Sequence, residues 1–138
     1  MSRIIKIVIK SCSGYGPYNL AYDDKLTITN ESIQYLYKPV FPSENHQSQK
    51  WYYRTNKPEF RQLWDNLCTM LPNILKQERE LVLDGCETTF TITYEDKSKA
   101  TTTCWSPNEE MIISCLKIIK RMVPPCEKEP AVLWISDE

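Results

Sequence analysis

The first apolar run of the chain predicts a central β-strand. Residues 4–9 are β-branched apart from one lysine, and their alternation is expected to place Ile5, Ile7 and Ile9 on the better-buried face. Residues 11–18 contain two of the chain's three glycines and a proline. This stretch is therefore predicted to be a loop.

Alternating apolar and polar positions also predict two β-hairpins. The first joins residues 26–29 to residues 32–38 through a short turn. The second joins residues 88–94 to residues 99–105, and one of its faces is apolar whereas the other carries threonines. The apolar residues expected to share one face of the first hairpin are Ile33, Tyr35 and Tyr37.

Two amphipathic helices are predicted, each with a proline in its first turn. The first begins near Pro58, and Pro72 is expected to end or kink it, with a short continuation through Ile74 and Leu75 as the alternative. The second is capped by Ser106, begins at Pro107 and ends before Pro124. The apolar stripes are Phe60, Leu63, Trp64, Leu67, Cys68 and Leu71 in the first helix, and Ile112, Cys115, Leu116, Ile119, Met122 and Val123 in the second.

These elements predict an α+β fold. Residues 51–54, 81–83 and 131–135 add three short strands, and the polar residues 39–50 form the longest predicted connection. We expect a two-layer sandwich, in which a mainly antiparallel sheet of five to seven strands has both helices packed on one face. The other face of the sheet is expected to be partly open.

Length and composition indicate one globular domain. The 138 residues, 41% of them hydrophobic, provide enough apolar material for a single core over residues 1–138, and neither a metal ion nor a disulfide is needed to hold it. Residues 24–75 and residues 81–126 each contain a hairpin followed by a helix. This order suggests a ββα pseudo-repeat.

Net charge and cysteine content indicate which kinds of partner and which cellular compartment to expect. A net charge of −1 argues against nucleic-acid binding by counterion release. The apolar run near the N-terminus is too short for a signal-peptide core or a membrane span, so we expect a cytoplasmic domain that does not bind membranes. The chain as a whole is typical of a small bacterial protein. Its cysteines should then be reduced and serve as small apolar residues. They are Cys12, Cys68, Cys86, Cys104, Cys115 and Cys126.

Motifs for cofactors and metals are missing from the sequence. The cysteines form no CxxC pair, and the chain has no phosphate loop, dinucleotide fingerprint, HExxH motif or nucleophile elbow. We expect neither a metal nor a cofactor. The catalytic candidates are Cys12, just past the first strand, and the single histidine, His46, as its base. Nothing in their spacing indicates contact, and the alternative is an ordinary thiol and a solvated imidazole.

Aromatic residues cluster in the first part of the chain, where seven of the eight tyrosines precede residue 54. Tyrosine combines contact area with a polar tip, so this set predicts a binding surface, whereas the alternative is cross-strand packing within the sheet. The candidate binding residues are Tyr15, Tyr18, Tyr35, Tyr37, Trp51 and Tyr53.

Threonines of the second hairpin form a row of hydroxyls that could face a polar ligand. The alternative is that an exposed sheet face favours threonine for its β-propensity alone. These residues are Thr89, Thr91, Thr93, Thr101, Thr102 and Thr103.

Three functional hypotheses follow. The leading one is a non-catalytic domain that binds a protein or small-molecule partner through the aromatic half of its sheet. The second is a small thiol enzyme with Cys12 as nucleophile and His46 as base. The third is a structural homodimer paired through an exposed sheet edge.

Overall fold

The computed structural model describes residues 3–12, 22–44, 47–75, 88–104 and 110–124. Within these ranges the chain forms one antiparallel sheet of six strands and two helices, which confirms the predicted α+β class. The strands are β1 (Ile4–Cys12), β2 (Tyr22–Ile28), β3 (Ser32–Pro39), β4 (Gln49–Arg54), β5 (Thr88–Tyr94) and β6 (Lys99–Cys104), and the helices are α1 (Pro58–Leu75) and α2 (Glu110–Met122).

The strand order is β4-β3-β2-β1-β5-β6. Strand β1 therefore lies at the centre of the sheet, as its β-branched sequence predicts, and pairs with β2 on one side and β5 on the other. Both predicted hairpins are confirmed as the pairs β2–β3 and β5–β6. In the described part of the sheet, β4 and β6 are the edge strands.

The core lies between one face of the sheet and the two helices. Alternate residues of the strands are buried there together with Phe60, Trp64, Leu67 and Leu71 of the first stripe and Cys115, Leu116, Ile119 and Met122 of the second, because an amphipathic element removes its apolar side from water by packing against another. Leu63, Cys68 and Val123 are partly buried against this core, and the side chain of Ile112 lies outside the described residues. The fully buried members of this core include Ile7, Ile9, Leu26, Ile28, Ile33, Tyr35, Leu67, Leu71, Phe90, Ile92, Leu116 and Ile119.

The prediction that Ile5 is buried was wrong. Ile4 pairs with Tyr94 and Lys6 pairs with Thr93, so Ile5 is an extra residue in β1 that has no partner on β5. Such a bulge shifts the alternation of the strand by one position. Ile4 is consequently buried in place of Ile5, which is 44% exposed.

The first helix passes through Pro72 and ends at Leu75. Proline removes one backbone donor, but Leu67 and Leu71 are fully buried, and this packing holds the helix across the missing hydrogen bond. The second helix ends at Met122, before Pro124, as predicted.

Several predicted features fall outside the described residues and stay predictions. They are the loop positions 13–18, the strands at residues 81–83 and 131–135, and the helix start at Ser106 and Pro107.

Candidate functional site

The strand register assigns the predicted aromatic residues to one face of the sheet. Tyr35 and Tyr37 point towards the helices and are buried. Trp51 and Tyr53 lie on the same face of the edge strand β4 and are half-buried. Of the described members of the predicted set, only these two keep part of their surface exposed. The members outside the described residues are Tyr15 and Tyr18.

The buried tyrosines surround a carboxylate that sequence reasoning did not single out. Asp24 on β2 is only 6% exposed, although it belongs to a residue type that is rarely buried. Its Oδ2 accepts a hydrogen bond of 2.7 Å from the Tyr35 hydroxyl, and its Oδ1 accepts one from the Ser11 hydroxyl. Asp24 thus ties the three neighbouring strands β1, β2 and β3 together.

Ring contacts complete this cluster. The rings of Tyr22 and Tyr37 stack at 5.0 Å, and those of Tyr35 and Trp51 lie 5.8 Å apart. Burial raises the pKa of Tyr35, and the hydrogen bond to Asp24 raises it further. Burial and the charge of Asp24 also raise the pKa of Tyr37. Both hydroxyls therefore keep their protons at neutral pH.

The thiol hypothesis places Cys12 and His46 together, and the structure leaves it as a prediction. Cys12 is the last residue of β1, opposite Asp23, whereas His46 lies outside the described residues. Cys68 and Cys115 lie in the helix stripes, as predicted. Burial raises the pKa of each of these two thiols to about 12. Neither is an activated nucleophile at neutral pH, because each remains almost wholly protonated.

Within the described residues, no group of three or more His, Cys, Asp or Glu side chains has the arrangement that could hold a metal ion. No helix among them is long and apolar enough to cross a membrane.

The sheet face that points away from the helices carries a concentration of positive charge. We call it the open face, because neither described helix covers it. Of the two acidic residues in the six strands, Asp23 lies on the open face and Asp24 on the other. Among the residues of the six described strands, seven cations lie on the open face, namely Lys6, Lys10, Lys25, Lys38, Lys50, Arg54 and Lys99.

The centre of this charge is a pair of directly opposed lysines. Lys10 on β1 faces Lys25 on β2 across the ladder. Like charges at directly opposite positions destabilise a sheet. In the described part of the chain, no acidic side chain lies within ion-pair distance of either lysine, whereas Arg54 pairs with Glu31 at 3.4 Å.

A shallow depression of about 400 Å³ lies around these two lysines. Lys38 and Leu36 of β3 and Thr89 of β5 line it, together with Asp23, which faces Lys38 directly across the strands. Ser11 and Asp24 also border the depression, but the carboxylate of Asp24 is already bound by two hydroxyls. The depression therefore combines an excess of cations with one apolar side chain and a neutral hydroxyl.

The remainder of the open face is mostly neutral. Thr89, Thr91 and Thr93 lie on it, as predicted for the threonine row. Thr102 does not, because it pairs with Phe90 and so shares the helix-covered face. The described aromatic residue on the open face is Tyr52, which is 61% exposed and lies on the edge strand β4.

Comparison with protein-family models, curated proteins and solved structures finds no match for this chain. Its function is therefore inferred from the geometry of its own residues. The sequence alone shows, by alternation, which residues of one strand share a face. The register between strands is needed to show that Lys10 and Lys25 are opposed.

Proposed function

We propose that this chain is a small non-catalytic binding domain that holds an anionic partner on its open face. The observation that carries the proposal is the opposed and unpaired lysine pair, Lys10 and Lys25, beside a depression of about 400 Å³. Proteins retain such unfavourable arrangements where they serve function. An anion placed between the two ammonium groups would relieve their repulsion.

The leading hypothesis of a binding domain is kept, but the binding surface is now the open face and not the face that carries the tyrosines. Tyr35 and Tyr37 are buried and support the sheet, so a partner would meet the opposite face. Trp51 and Tyr53 lie on the same helix-covered face and are partly buried, so the proposed surface leaves them out. Pairing of two subunits through an edge strand would leave the open face free, so a homodimer is compatible with this function.

We also propose a cytoplasmic location and a purely binding role. The two thiols whose environment is described, Cys68 and Cys115, are free, which fits a reducing compartment. Their raised pKa values oppose thiol catalysis at these two positions.

A direct test maps the binding of a short polyanion. We would add a heparin hexasaccharide to ¹⁵N-labelled protein and follow the backbone amide shifts at low salt. We expect the largest shifts at Lys10, Lys25 and Lys38, and we expect them to disappear in the Lys10→Glu/Lys25→Glu variant. The matched control, Lys117→Glu/Lys120→Glu on α2, changes the charge equally and should retain them. Shifts confined to the helices, or none at all, would refute the proposal.

A second prediction concerns the stability cost of the opposed pair. Replacing Lys25 by threonine, a good strand former, should raise the free energy of unfolding by about 0.5 kcal/mol at low ionic strength, because it removes the repulsion from Lys10. The gain should shrink in 1 M NaCl, since salt screens exposed charges. The control is Lys38→Thr, which removes a lysine that faces Asp23 and should give no such gain. Urea denaturation of both variants measures the difference, and equal effects would contradict the explanation.

A further inference from the structure

Lysines of the open face form a row across the strands that an extended chain could follow. Lys10, Lys25 and Lys50 lie in one row across the sheet, with Leu36 between the last two. Neighbouring strands are about 4.8 Å apart, so Lys10 and Lys25 are separated by one such step and Lys50 by two more. Flexible lysine side chains can follow carboxylates that recur about every 7 Å along an extended peptide.

The chemistry between the lysines suits a polypeptide. Leu36 is an exposed apolar side chain inside the cationic row. Val8, at the centre of the open face, is 8% exposed and lies between threonines of the two adjacent strands, Thr27 and Thr91. A segment with acidic residues around one apolar side chain would place its charges on the lysines and its apolar group against Leu36.

Single-stranded nucleic acid fits this face less well. Proteins that bind it stack successive bases on several aromatic side chains, whereas the described open face has one aromatic residue, Tyr52, at its edge. Six of the seven cations are lysines, which lack the planar fork that binds phosphate in bidentate fashion. The chain as a whole has a net charge of −1, so its surface beyond the open face carries net negative charge and repels a long polyanion.

A second copy of the chain is also disfavoured as the occupant. Two open faces brought together would oppose Lys10 and Lys25 of one copy to the same cationic surface of the other. Juxtaposed like charges suppress association. The occupant must therefore bring negative charge that the open face does not have.

We propose that the open face binds an acidic, extended segment of another protein, one that carries an apolar residue among its carboxylates. This inference rests on the function proposed above and specifies the class of partner. Lys10 and Lys25 would hold adjacent carboxylates, Lys38 and Lys50 would extend the contact, and Leu36 would pack against the apolar residue. Asp23 opposes the interaction, since it is the acidic residue that the described strands place on this face.

The test uses a defined probe, a fluorescein-labelled peptide with five glutamates on each side of one leucine. Fluorescence anisotropy would measure its affinity for the full chain at low salt. We expect Lys10→Glu/Lys25→Glu to weaken binding at least tenfold, and Lys117→Glu/Lys120→Glu to change it less than threefold. Asp23→Asn should tighten binding about threefold, and a gain of affinity cannot result from failure to fold. Lys10→Gln/Lys25→Gln serves if the charge-reversed variant is unstable.

Two comparison probes separate the alternatives. The same peptide with glutamine in place of glutamate should not bind, and an eleven-nucleotide oligo(dT) should bind more weakly than the acidic peptide. Tighter binding of the oligonucleotide on the same face would overturn the acidic-peptide assignment and leave the proposed anion-binding function standing. If the acidic peptide did not bind but the heparin hexasaccharide still shifted the open-face amides, the acidic-peptide assignment would likewise be overturned and the anion-binding function would stand. Failure of all three anionic probes would overturn both proposals.

Discussion

Replacement of Asp24 by alanine is expected to lower the free energy of unfolding by about 3 kcal/mol. The carboxylate of Asp24 is buried and accepts hydrogen bonds from Ser11 and Tyr35. The substitution leaves the fully buried Tyr35 hydroxyl without this acceptor, and a buried donor that loses its partner costs about 1–3 kcal/mol. Loss of the charge-assisted bond from Ser11 adds to this cost.

The adjacent residue provides a matched control. Asp23→Ala removes the same charge one position earlier, but on the open face, and should change stability by less than about 0.5 kcal/mol. Asp24→Asn keeps the size of the side chain and one acceptor oxygen, so an intermediate loss is expected. Chemical denaturation followed by circular dichroism would measure all three variants. Equal losses in Asp23→Ala and Asp24→Ala would show that the hydrogen bonds of Asp24 do not hold the three strands.

The fold could be predicted from the sequence because residue preferences, the spacing of apolar positions and the turn residues all indicate the same elements. Alternation in residues 88–94 predicts the strand and also its buried face, with Phe90 and Ile92 fully buried as a result. The helix stripes likewise place Cys115 and Leu116 in the core. The spacing of apolar residues is sufficient to predict an element and its buried face wherever that element is regular along its whole length.

Irregular positions could not be predicted in this way. The bulge at Ile5 arises because β1 and β5 differ by one residue in their pairing, and this mismatch belongs to two strands that are more than 70 residues apart in the chain. The passage of α1 through Pro72 depends on the burial of Leu71 against other elements. In both places tertiary packing outweighs the local signal.

In the candidate site, too, some features could be predicted from local patterns and others depend on long-range packing. Tyr35 and Tyr37 were predicted to share a face, and they do, but the sequence does not say that this face is the one covered by helices. The cationic residues of the open face are scattered between positions 6 and 99, so no window of the sequence reveals their number. Strand order and register bring them together, and both are long-range properties of the fold.

Stability is expected to fall steeply in alkaline solution. Burial raises the pKa of Cys68 and of Cys115 from about 9 to about 12, and it also raises the pKa of Tyr35 above its ordinary value of 10. Between pH 9 and pH 12 the unfolded chain therefore releases protons from both thiols that the folded chain retains. Release of protons by the unfolded state favours unfolding as pH rises, so this contribution is fully present below pH 9 and is lost above it.

The size of this effect is set mainly by the fully buried thiol. Cys115 lowers the free energy of unfolding by about 1.4 kcal/mol per pH unit in this window, which amounts to about 2 kcal/mol at pH 10.5. Cys68 is only partly buried and contributes less, because solvent screens it. Tyr35 adds to the slope above pH 10. A domain of ordinary stability, about 5–15 kcal/mol, loses much of its margin under these conditions.

Urea denaturation at a series of pH values measures the slope directly. Cys115→Ala should reduce the slope between pH 9.5 and pH 11 by about 1.4 kcal/mol per pH unit, even if the smaller side chain lowers stability at pH 7. Tyr35→Phe should reduce the slope only above pH 10. If the double variant Cys68→Ala/Cys115→Ala kept the full slope, the thiols would not be the groups that hold their protons in the folded core. Alkaline unfolding would then have to arise from the tyrosines around Asp24.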